Sequence, residues 1–330
     1  MAVSPIPAEW APHRAMWVGW PSHEEPWAGP DLMRAAQDEI EALVLALAGP
    51  GREQVRLMVG SEAELAGAQA RFAGVQNVEV VAGAFGDVWL RDTGPIFGPG
   101  SRTAAAFRFN GWGGKYVMEG DETVADQIGE RSGTPLTRID AVMEGGSLDH
   151  DGEGVILTTR QCLLNPNRNA GWTEGKALEV LGQALGATRI VWLGEGLLND
   201  HTDGHVDNLA RFVAPGVVAC PIAFGIDDPN AEVYDACARD LAEAGFRVVR
   251  IPSPGLLKDE DGEAIPASHM NFLIANGAVI VPTYGNEAAA DLARQALATV
   301  FPDREIILLP STNILTGGGS FHCISQQEPA

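Results

Sequence analysis

Cysteine is scarce in this sequence. Its 330 residues include four, and so few in so long a chain exclude a disulfide-stapled scaffold and favour a reducing, cytoplasmic setting. Cys162, Cys220 and Cys237 stand among apolar residues, a position typical of small buried side chains. Cys323 instead comes soon after Gly317-Gly318-Gly319, in a polar segment where the glycines let a bound group approach the main chain. We therefore consider Cys323 the candidate nucleophile.

Long apolar runs and basic residues are also scarce. The absence of a basic start followed by an apolar stretch predicts no signal peptide, and no segment is apolar enough to predict a membrane span. Lys and Arg number 22 against 44 Asp and Glu, which gives a formal net charge of −22. Such a surface repels nucleic acid and anionic membranes and suits a cationic small molecule, although solubility alone also explains it. No linker-like tract divides the chain, so we expect one domain over residues 1–330.

One pattern recurs five times along the chain. An apolar strand is followed by a polar or Gly-rich loop, and the first four loops lead into a predicted hairpin and then a helix. The predicted strands are Val78–Val81, Leu136–Ile139, Arg189–Leu193, Val248–Ile251 and Ile306–Leu309, and the loops after them hold Asp92, Glu144, His205, Asn271 and Cys323. Each unit is too small to cover its own apolar face, so the units must pack together. This predicts an α/β ring of five units; a doubly wound α/β sheet is the alternative.

The helical periodicity and the remaining strands complete this prediction. The strand Ala15–Trp20 and the helix Asp31–Ala48 are expected to supply the missing parts of the last unit, and an extra strand and helix are expected within Glu53–Phe72. The other predicted helices span Asp121–Arg131, Thr173–Gly186, Asp228–Ala244 and Asn286–Phe301.

In a ring, the five polar loops would converge on one pocket. Asp92 and Asp207 would repel each other there unless a cation lay between them, and a planar guanidinium pairs well with carboxylates. A surface ion pair with Arg91 is the alternative for Asp92. If residues 205–207 begin a strand, His205 and Asp207 point to the same face.

The same pocket offers a base for the candidate nucleophile. His205 is a candidate general acid and base, and Glu144 could hold its second ring nitrogen. Cys323 would attack as thiolate, and since nearby carboxylates should raise its pKa, we expect a cationic substrate to offset their field.

The segment 201–207 also permits a different interpretation. His201, Asp203, His205 and Asp207 alternate with other residues, and such a set could ligate zinc or manganese. The protein would then be a metal-dependent hydrolase, and Cys323 would have no evident role.

Long motifs, in order along almost the whole chain, resemble those of the agmatine deiminase family, close kin of bacterial peptidylarginine deiminases. The motifs are Pro7–Trp10, Trp17–Pro21, Trp89–Pro95, Asn110–Tyr116, Glu144–Ser147, Leu163–Asn169, Thr202–Asn208 and Gly317–Gln327. The resemblance implies a five-bladed β/α propeller of the guanidine-modifying (pentein) type with pseudo-five-fold repeats. It implies a guanidino small molecule as substrate and no metal or organic cofactor, and it leaves a homo-oligomer possible.

The resemblance also implies roles for the candidate residues. Cys323 would add to the guanidinium carbon, His205 would protonate the departing ammonia, and water activated by His205 would resolve the covalent thiouronium. Glu144 would partner the base, and Asp92 and Asp207 would clamp the guanidinium. Agmatine would yield N-carbamoylputrescine, a step of putrescine biosynthesis.

Four positions depart from the family pattern. The family usually has Glu at His201, Tyr at His269 and Asn-Ile at Ser320-Phe321, which keeps other guanidino substrates open. We expect Asp203, with Asp200, to bind an amine at the end of the substrate opposite the guanidinium, and Trp89 and Trp112 to line the aliphatic stem between them. An amidinotransferase, which needs an amine acceptor, and a non-catalytic propeller that binds cations are the rival functions.

Overall fold

The structure, a computed structural model, describes residues 3–330. Within this range no helix is both long and apolar enough to cross a membrane. The strands are β1 (His13–Trp20), β2 (Val55–Val59), β3 (Val78–Ala82), β4 (Ile96–Phe97), β5 (Ala104–Arg108), β6 (Leu136–Val142), β7 (Asp149–His150), β8 (Val155–Thr159), β9 (Arg189–Leu193), β10 (Arg211–Ala214), β11 (Val217–Ile222), β12 (Arg247–Pro252), β13 (Leu273–Ile274), β14 (Ala278–Thr283), β15 (Glu305–Pro310) and β16 (Ser325–Pro329).

The helices lie mainly between consecutive strands of a sheet. They are α1 (Pro30–Ala48), α2 (Glu62–Arg71), α3 (Leu90–Thr93), α4 (Gly111–Gly114), α5 (Val124–Ser132), α6 (Arg160–Leu163), α7 (Glu174–Leu185), α8 (Ala231–Glu243), α9 (Glu287–Ala298) and α10 (Thr312–Leu315). Short 3₁₀ turns span Glu25–Trp27, Pro99–Ser101, Asp121–Thr123, Gly145–Ser147 and Val206–Asn208.

The strands form five separate sheets that repeat one topology. In four of them an antiparallel pair is followed, after a helix, by a parallel strand, in the orders β4-β5-β6, β7-β8-β9, β10-β11-β12 and β13-β14-β15. The fifth sheet has the order β16-β1-β2-β3. The expected recurrence of hairpin and helix is therefore confirmed, and the doubly wound alternative, which needs one continuous sheet, is wrong.

The fifth sheet joins the two ends of the described chain. β16 pairs antiparallel with β1, with Val18 opposite Ser325, and β1 pairs parallel with β2. The expectation that the strand near the N-terminus completes the last unit is confirmed. This closure matters for the site, because β16 begins two residues after Cys323.

Local chemistry explains why the elements begin and end where they do. Thr173 caps α7 by accepting a hydrogen bond from the Lys176 amide at 3.2 Å, and Gly186 ends it with φ of 71°. Asn286 caps α9 in the same manner, through the Ala289 amide. β14 is almost wholly buried, which fits its nearly continuous apolar sequence.

The largest apolar cluster packs α1 against β1, β2 and β14. It also contains Trp27, Trp89, Phe321 and Cys323, so that the candidate nucleophile stands at the edge of a rigid core.

Candidate active site

The polar loops lie beyond the last strand of each sheet and carry the candidate side chains. Asp92 lies in α3, after β3; Glu144 follows β6; and Asn271 follows β12. All the candidate side chains in these loops are buried, with exposed fractions of 5% for Asp92, 1% for Glu144, 0% for His205, Asp207 and Asn271, and 6% for Cys323.

Gly146 marks the point where three of these side chains converge. A methyl group placed on Gly146 would lie 2.6 Å from His205 Nδ1, 2.9 Å from Asp92 Oδ1 and 3.0 Å from Asp207 Oδ2. With Gly146 itself, which follows β6, they come from three loops: Asp92 follows β3, and His205 and Asp207 both follow β9, as the ring of units predicts. Only glycine leaves the space between them open.

The two aspartates are held in different electrostatic states. Asp92 accepts hydrogen bonds from the Gly146 amide and Trp112 Nε1, each at 2.9 Å, but burial, Asp207 and Glu144 together raise its pKa well above the usual value. Burial would also raise the pKa of Asp207, yet its hydrogen bond to His322 and the charge of that ring lower it. Two close carboxyls with opposite shifts form a site that a cation would stabilise. The alternative of a surface ion pair between Asp92 and Arg91 is wrong, because both side chains are buried.

His205 lies between Asp92 and Glu144. Its Nδ1 is 3.8 Å from Asp92 Oδ1 and its Nε2 is 4.0 Å from Glu144 Oε2, and within the described part of the chain neither ring nitrogen has a hydrogen-bond partner. Burial lowers the pKa of His205 to about 4, so the ring is neutral at neutral pH and can accept a proton. The predicted strand at 205–207 is wrong: His205 precedes a 3₁₀ turn, because Thr202 Oγ1 accepts from the His205 amide and turns the chain.

Glu144 is anchored by an arginine to which the sequence analysis gave no role. Arg168 Nε donates to Glu144 Oε1 at 2.7 Å, and its Nη2 donates to the Thr202 carbonyl at 2.9 Å. Burial raises the pKa of Glu144, and the Arg168 charge opposes that rise. The signal was present in the motif 163–169, where an arginine stands among asparagines and apolar residues.

Cys323 lies beside Asn271 and Asp207. Asn271 Nδ2 donates to Cys323 Sγ at 3.1 Å, and Sγ lies 3.7 Å from Asp207 Oδ2. Burial raises the pKa of the Cys323 thiol well above its usual value, and Asp207 and Asp92 add to the rise. The expectation that carboxylates raise this pKa is confirmed. Asn271 Oδ1 also accepts from the His322 amide at 2.9 Å, which fixes the turn that presents the thiol.

His322 and Glu9, neither of which had a predicted role, lie behind Asp207. His322 Nδ1 lies 2.8 Å from Asp207 Oδ2, and Nε2 lies 3.1 Å from Glu9 Oε2. Each ring nitrogen of His322 therefore faces a carboxylate oxygen, and this contact lowers the pKa of Asp207. Arg211 in turn pairs with Glu9 and with Asp149. Glu9 and His322 lie in the motifs Pro7–Trp10 and Gly317–Gln327, but nothing local in the sequence indicates that the two residues meet.

A large open cavity of about 2110 Å³ leads to this cluster. Trp89, Asp92, Trp112 and Cys323 line its floor, as expected for the two tryptophans. Acidic side chains outnumber basic ones along its wall: Glu24, Glu25, Glu119, Asp200, Asp259, Glu260 and Glu263 against Lys115 and Lys258.

The residues considered for the amine end of the substrate, opposite the guanidinium, differ in where they lie. Asp203 does not line the cavity among the described residues, and its oxygens bind Lys115, Asn167 and Arg168. His201 lies exposed on the cavity wall and stacks on Tyr116 with ring centroids 5.9 Å apart. His269 is buried instead, its Nδ1 2.8 Å from the Pro252 carbonyl.

The predicted metal site at 201–207 is not assembled. His201 is exposed, Asp203 is paired with cations and Asp207 with His322, so the three do not share a centre. Across residues 3–330, the group whose donor atoms do come together is Glu144, Cys162 and His205.

Comparison with known proteins gives the same picture along the whole chain. The model of the Porphyromonas-type peptidyl-arginine deiminase family matches residues 5–329. The agmatine deiminase of Stutzerimonas stutzeri (strain A1501) is 36% identical over 357 residues, which cover 98% of this chain and 95% of that protein.

Solved structures of similar proteins superpose closely. An agmatine deiminase of Enterococcus faecalis has a TM-score of 0.90 at 30% identity, covering 98% of this chain and 95% of the other. A C. jejuni agmatine deiminase variant with substrate bound has a TM-score of 0.89 at 28% identity, covering 99% and 96%. The resemblance found in the sequence motifs is confirmed, and the chain belongs to the Porphyromonas-type peptidyl-arginine deiminase family.

Proposed function

We propose that this protein is an agmatine deiminase, which hydrolyses agmatine to N-carbamoylputrescine and ammonia. The observation that carries the proposal is the convergence of Asp92, His205 and Asp207 over Gly146, with the Cys323 thiol beside Asp207, at the floor of an acid-lined cavity. The similarity to agmatine deiminases over nearly the full chain supports the same substrate.

Binding of the guanidinium between Asp92 and Asp207 would begin the reaction. The cation supplies the positive charge that two buried carboxylates need. It would therefore lower the raised pKa of Asp92, and both carboxylates would bind the flat group through its N–H donors. The same charge stabilises the Cys323 thiolate that the carboxylates oppose in the free enzyme.

The chemistry would proceed in two halves. Neutral His205 takes the Cys323 proton, the thiolate adds to the guanidinium carbon, and His205 returns the proton to the nitrogen that leaves as ammonia. Water then attacks the thiouronium carbon while His205 accepts a water proton, and the C–S bond breaks to release the ureido product and Cys323. Glu144, anchored by Arg168, faces the outer ring nitrogen and orients the imidazole.

Asp200 is the better partner for the substrate amine. It lines the cavity, its Oδ1 accepts from the Thr202 amide at 2.8 Å, and its buried Oδ2 has no partner within residues 3–330. A primary ammonium at the end of a four-carbon stem would satisfy that oxygen. Lys115, a cavity-lining cation, donates to Asp203 and to the His201 carbonyl, which disfavours a substrate with an α-carboxylate.

For the whole fold we propose a single domain in which the five sheets are the blades of a pentein-type β/α propeller with pseudo-five-fold repeats. The shared topology of the sheets and the pairing of β1 with β16 support this arrangement.

A substrate panel tests the function. The purified protein is assayed for ammonia release with agmatine, arginine, methylguanidine and a peptidyl arginine, with the ureido product identified by mass spectrometry. We expect agmatine to have the highest kcat/KM and Cys323→Ala to abolish turnover. Turnover in Cys323→Ala, or ammonia release only when an amine acceptor is added, would contradict the proposal.

A further inference from the structure

Three buried side chains, among them the candidate base His205, bring possible metal-ligand atoms close together. One donor atom from each of Glu144, Cys162 and His205 lies within 4.8 Å of the other two. Glu144 Oε2 and His205 Nε2, 4.0 Å apart, are buried, and the described residues offer them no hydrogen bond. Cys162 is 0% exposed. Buried polar atoms are rarely left unpaired, so this cluster calls for an explanation.

The proposed deimination does not account for all three. It uses Glu144 and His205 as an orienting pair, but at 4.0 Å they are not hydrogen-bonded, and it gives Cys162 no part. The position of Cys162 follows from the fold: it lies in α6, whose start is capped by Thr159, and Thr159 Oγ1 donates to the Gly204 carbonyl beside His205.

The chemistry of the three donors selects a thiophilic cation. Thiolate, imidazole and carboxylate together are ligands for zinc, whereas a thiolate disfavours magnesium, calcium and manganese. Ligands bound at about 2.0–2.3 Å in a tetrahedron lie somewhat more than 3 Å apart, so inward movements of about half an ångström would close the site.

The surroundings also fit a zinc site with one open position. Arg168 holds Glu144 Oε1 and leaves Oε2 as a single ligand atom. His205 is a neutral ring whose Nδ1 faces Asp92 and Asp207, so Nε2 can take a metal while the other side still faces the cavity. The three protein ligands leave the fourth position for water.

We propose that Glu144, Cys162 and His205 form an inhibitory site for Zn²⁺ and similar thiophilic cations. A cation bound to Nε2 removes the ring from proton transfer and draws Glu144 away from its orienting role. Binding releases the Cys162 proton to solvent as the Zn–S bond forms, with no change of oxidation state.

Cadmium absorption tests the site without reference to activity. Cd²⁺ is titrated into the Cys323→Ala protein, in which the candidate nucleophile cannot contribute, and the near-ultraviolet thiolate-to-cadmium band is recorded. We expect one saturating equivalent, with the band lost in Cys162→Ser/Cys323→Ala and retained in the matched Cys220→Ser/Cys323→Ala protein. An absent band, or one that persists without Cys162, overturns the proposal. Circular dichroism verifies that each variant is folded.

Inhibition gives the second readout. We expect micromolar-range Zn²⁺, but not Mg²⁺, to inhibit ammonia release, and EDTA to restore it. With each protein's rate expressed relative to its own uninhibited rate, Cys162→Ser should raise the Zn²⁺ concentration that gives half inhibition at least about tenfold. Cys220→Ser should leave that concentration unchanged. Equal Zn²⁺ sensitivity with and without Cys162 would place the metal on Cys323 instead and refute the site.

Discussion

Asp92 and Asp207 carry the same side chain, yet their pKa values move in opposite directions. The two carboxyls have different hydrogen-bond partners. The neutral indole of Trp112 and a backbone amide donate to Asp92, whereas the imidazole of His322 lies against Asp207 and lowers its pKa. An arriving cation therefore favours the ionised form of Asp92, whose pKa is raised, while His322 already favours that form of Asp207.

The thiol should respond to that cation. In a His205→Asn variant, which blocks proton transfer, we expect bound agmatine to lower the Cys323 pKa, because the guanidinium offsets the field of Asp92 and Asp207. Thiolate absorbance is titrated with and without agmatine, with Cys323→Ala as the blank. An unchanged pKa would rule out the substrate-assisted thiolate.

Asn271 provides a neutral stabiliser of the same sulfur. Asn271→Ala removes the hydrogen-bond donor that lies 3.1 Å from Cys323 Sγ, so the pKa of the thiol should rise. The limb of the pH–rate profile that increases with pH should then move to higher pH. We expect kcat/KM to fall about tenfold or more.

A helix-cap variant separates this effect from lost stability. Asn286→Ala removes the cap of α9 and should cost about 1 kcal/mol of stability while leaving the pH profile in place. A profile that shifts equally in both variants would argue against a bond from Asn271 to the thiolate.

At the scale of elements, the sequence could predict the strands, hairpins and long helices, because their periodicity and their Asn, Thr and Gly boundaries are local properties. It misassigned residues 205–207, since the Thr202 side chain, not alternation, decides the turn there. Glu9, Arg168 and His322 acquire their partners only when distant loops meet. The prediction that Cys162, Cys220 and Cys237 are buried is confirmed.

The turn Gly145–Ser147 places a glycine where the three acid–base side chains converge. Gly146→Ala should abolish detectable agmatine binding, because the new methyl group would lie within 3.0 Å of His205, Asp92 and Asp207. Calorimetric titration with agmatine measures the loss. The matched Gly194→Ala variant meets no atom within 4 Å and should bind normally. Retained binding in Gly146→Ala would move the guanidinium site elsewhere.

At the scale of the whole molecule, buried neutral histidines make stability depend on pH. Burial lowers the pKa of His269 from 6.5 to about 4. Above pH 6.5 the folded and unfolded forms are both neutral at this residue; as the pH falls towards 4 only the unfolded form gains the proton, so the folded state loses up to roughly 3 kcal/mol.

A variant at this position should flatten that dependence. In His269→Phe, urea unfolding at a series of pH values should give a smaller fall in unfolding free energy between pH 6.5 and 4, since phenylalanine cannot titrate. The ring can still pack on Tyr284, which stacks on His269 at a centroid distance of 6.1 Å. An identical slope in both proteins would assign the pH dependence to other groups, such as His150.

The paired aspartates have a consequence for a common laboratory reagent. Guanidinium chloride is used to unfold proteins, but its cation is the headgroup that Asp92 and Asp207 are proposed to grip, and any ligand bound only by the folded form protects it. At millimolar concentrations the salt should therefore raise the melting temperature before molar amounts unfold the chain. Urea and sodium chloride should give no such rise, and Asp92→Asn should remove it.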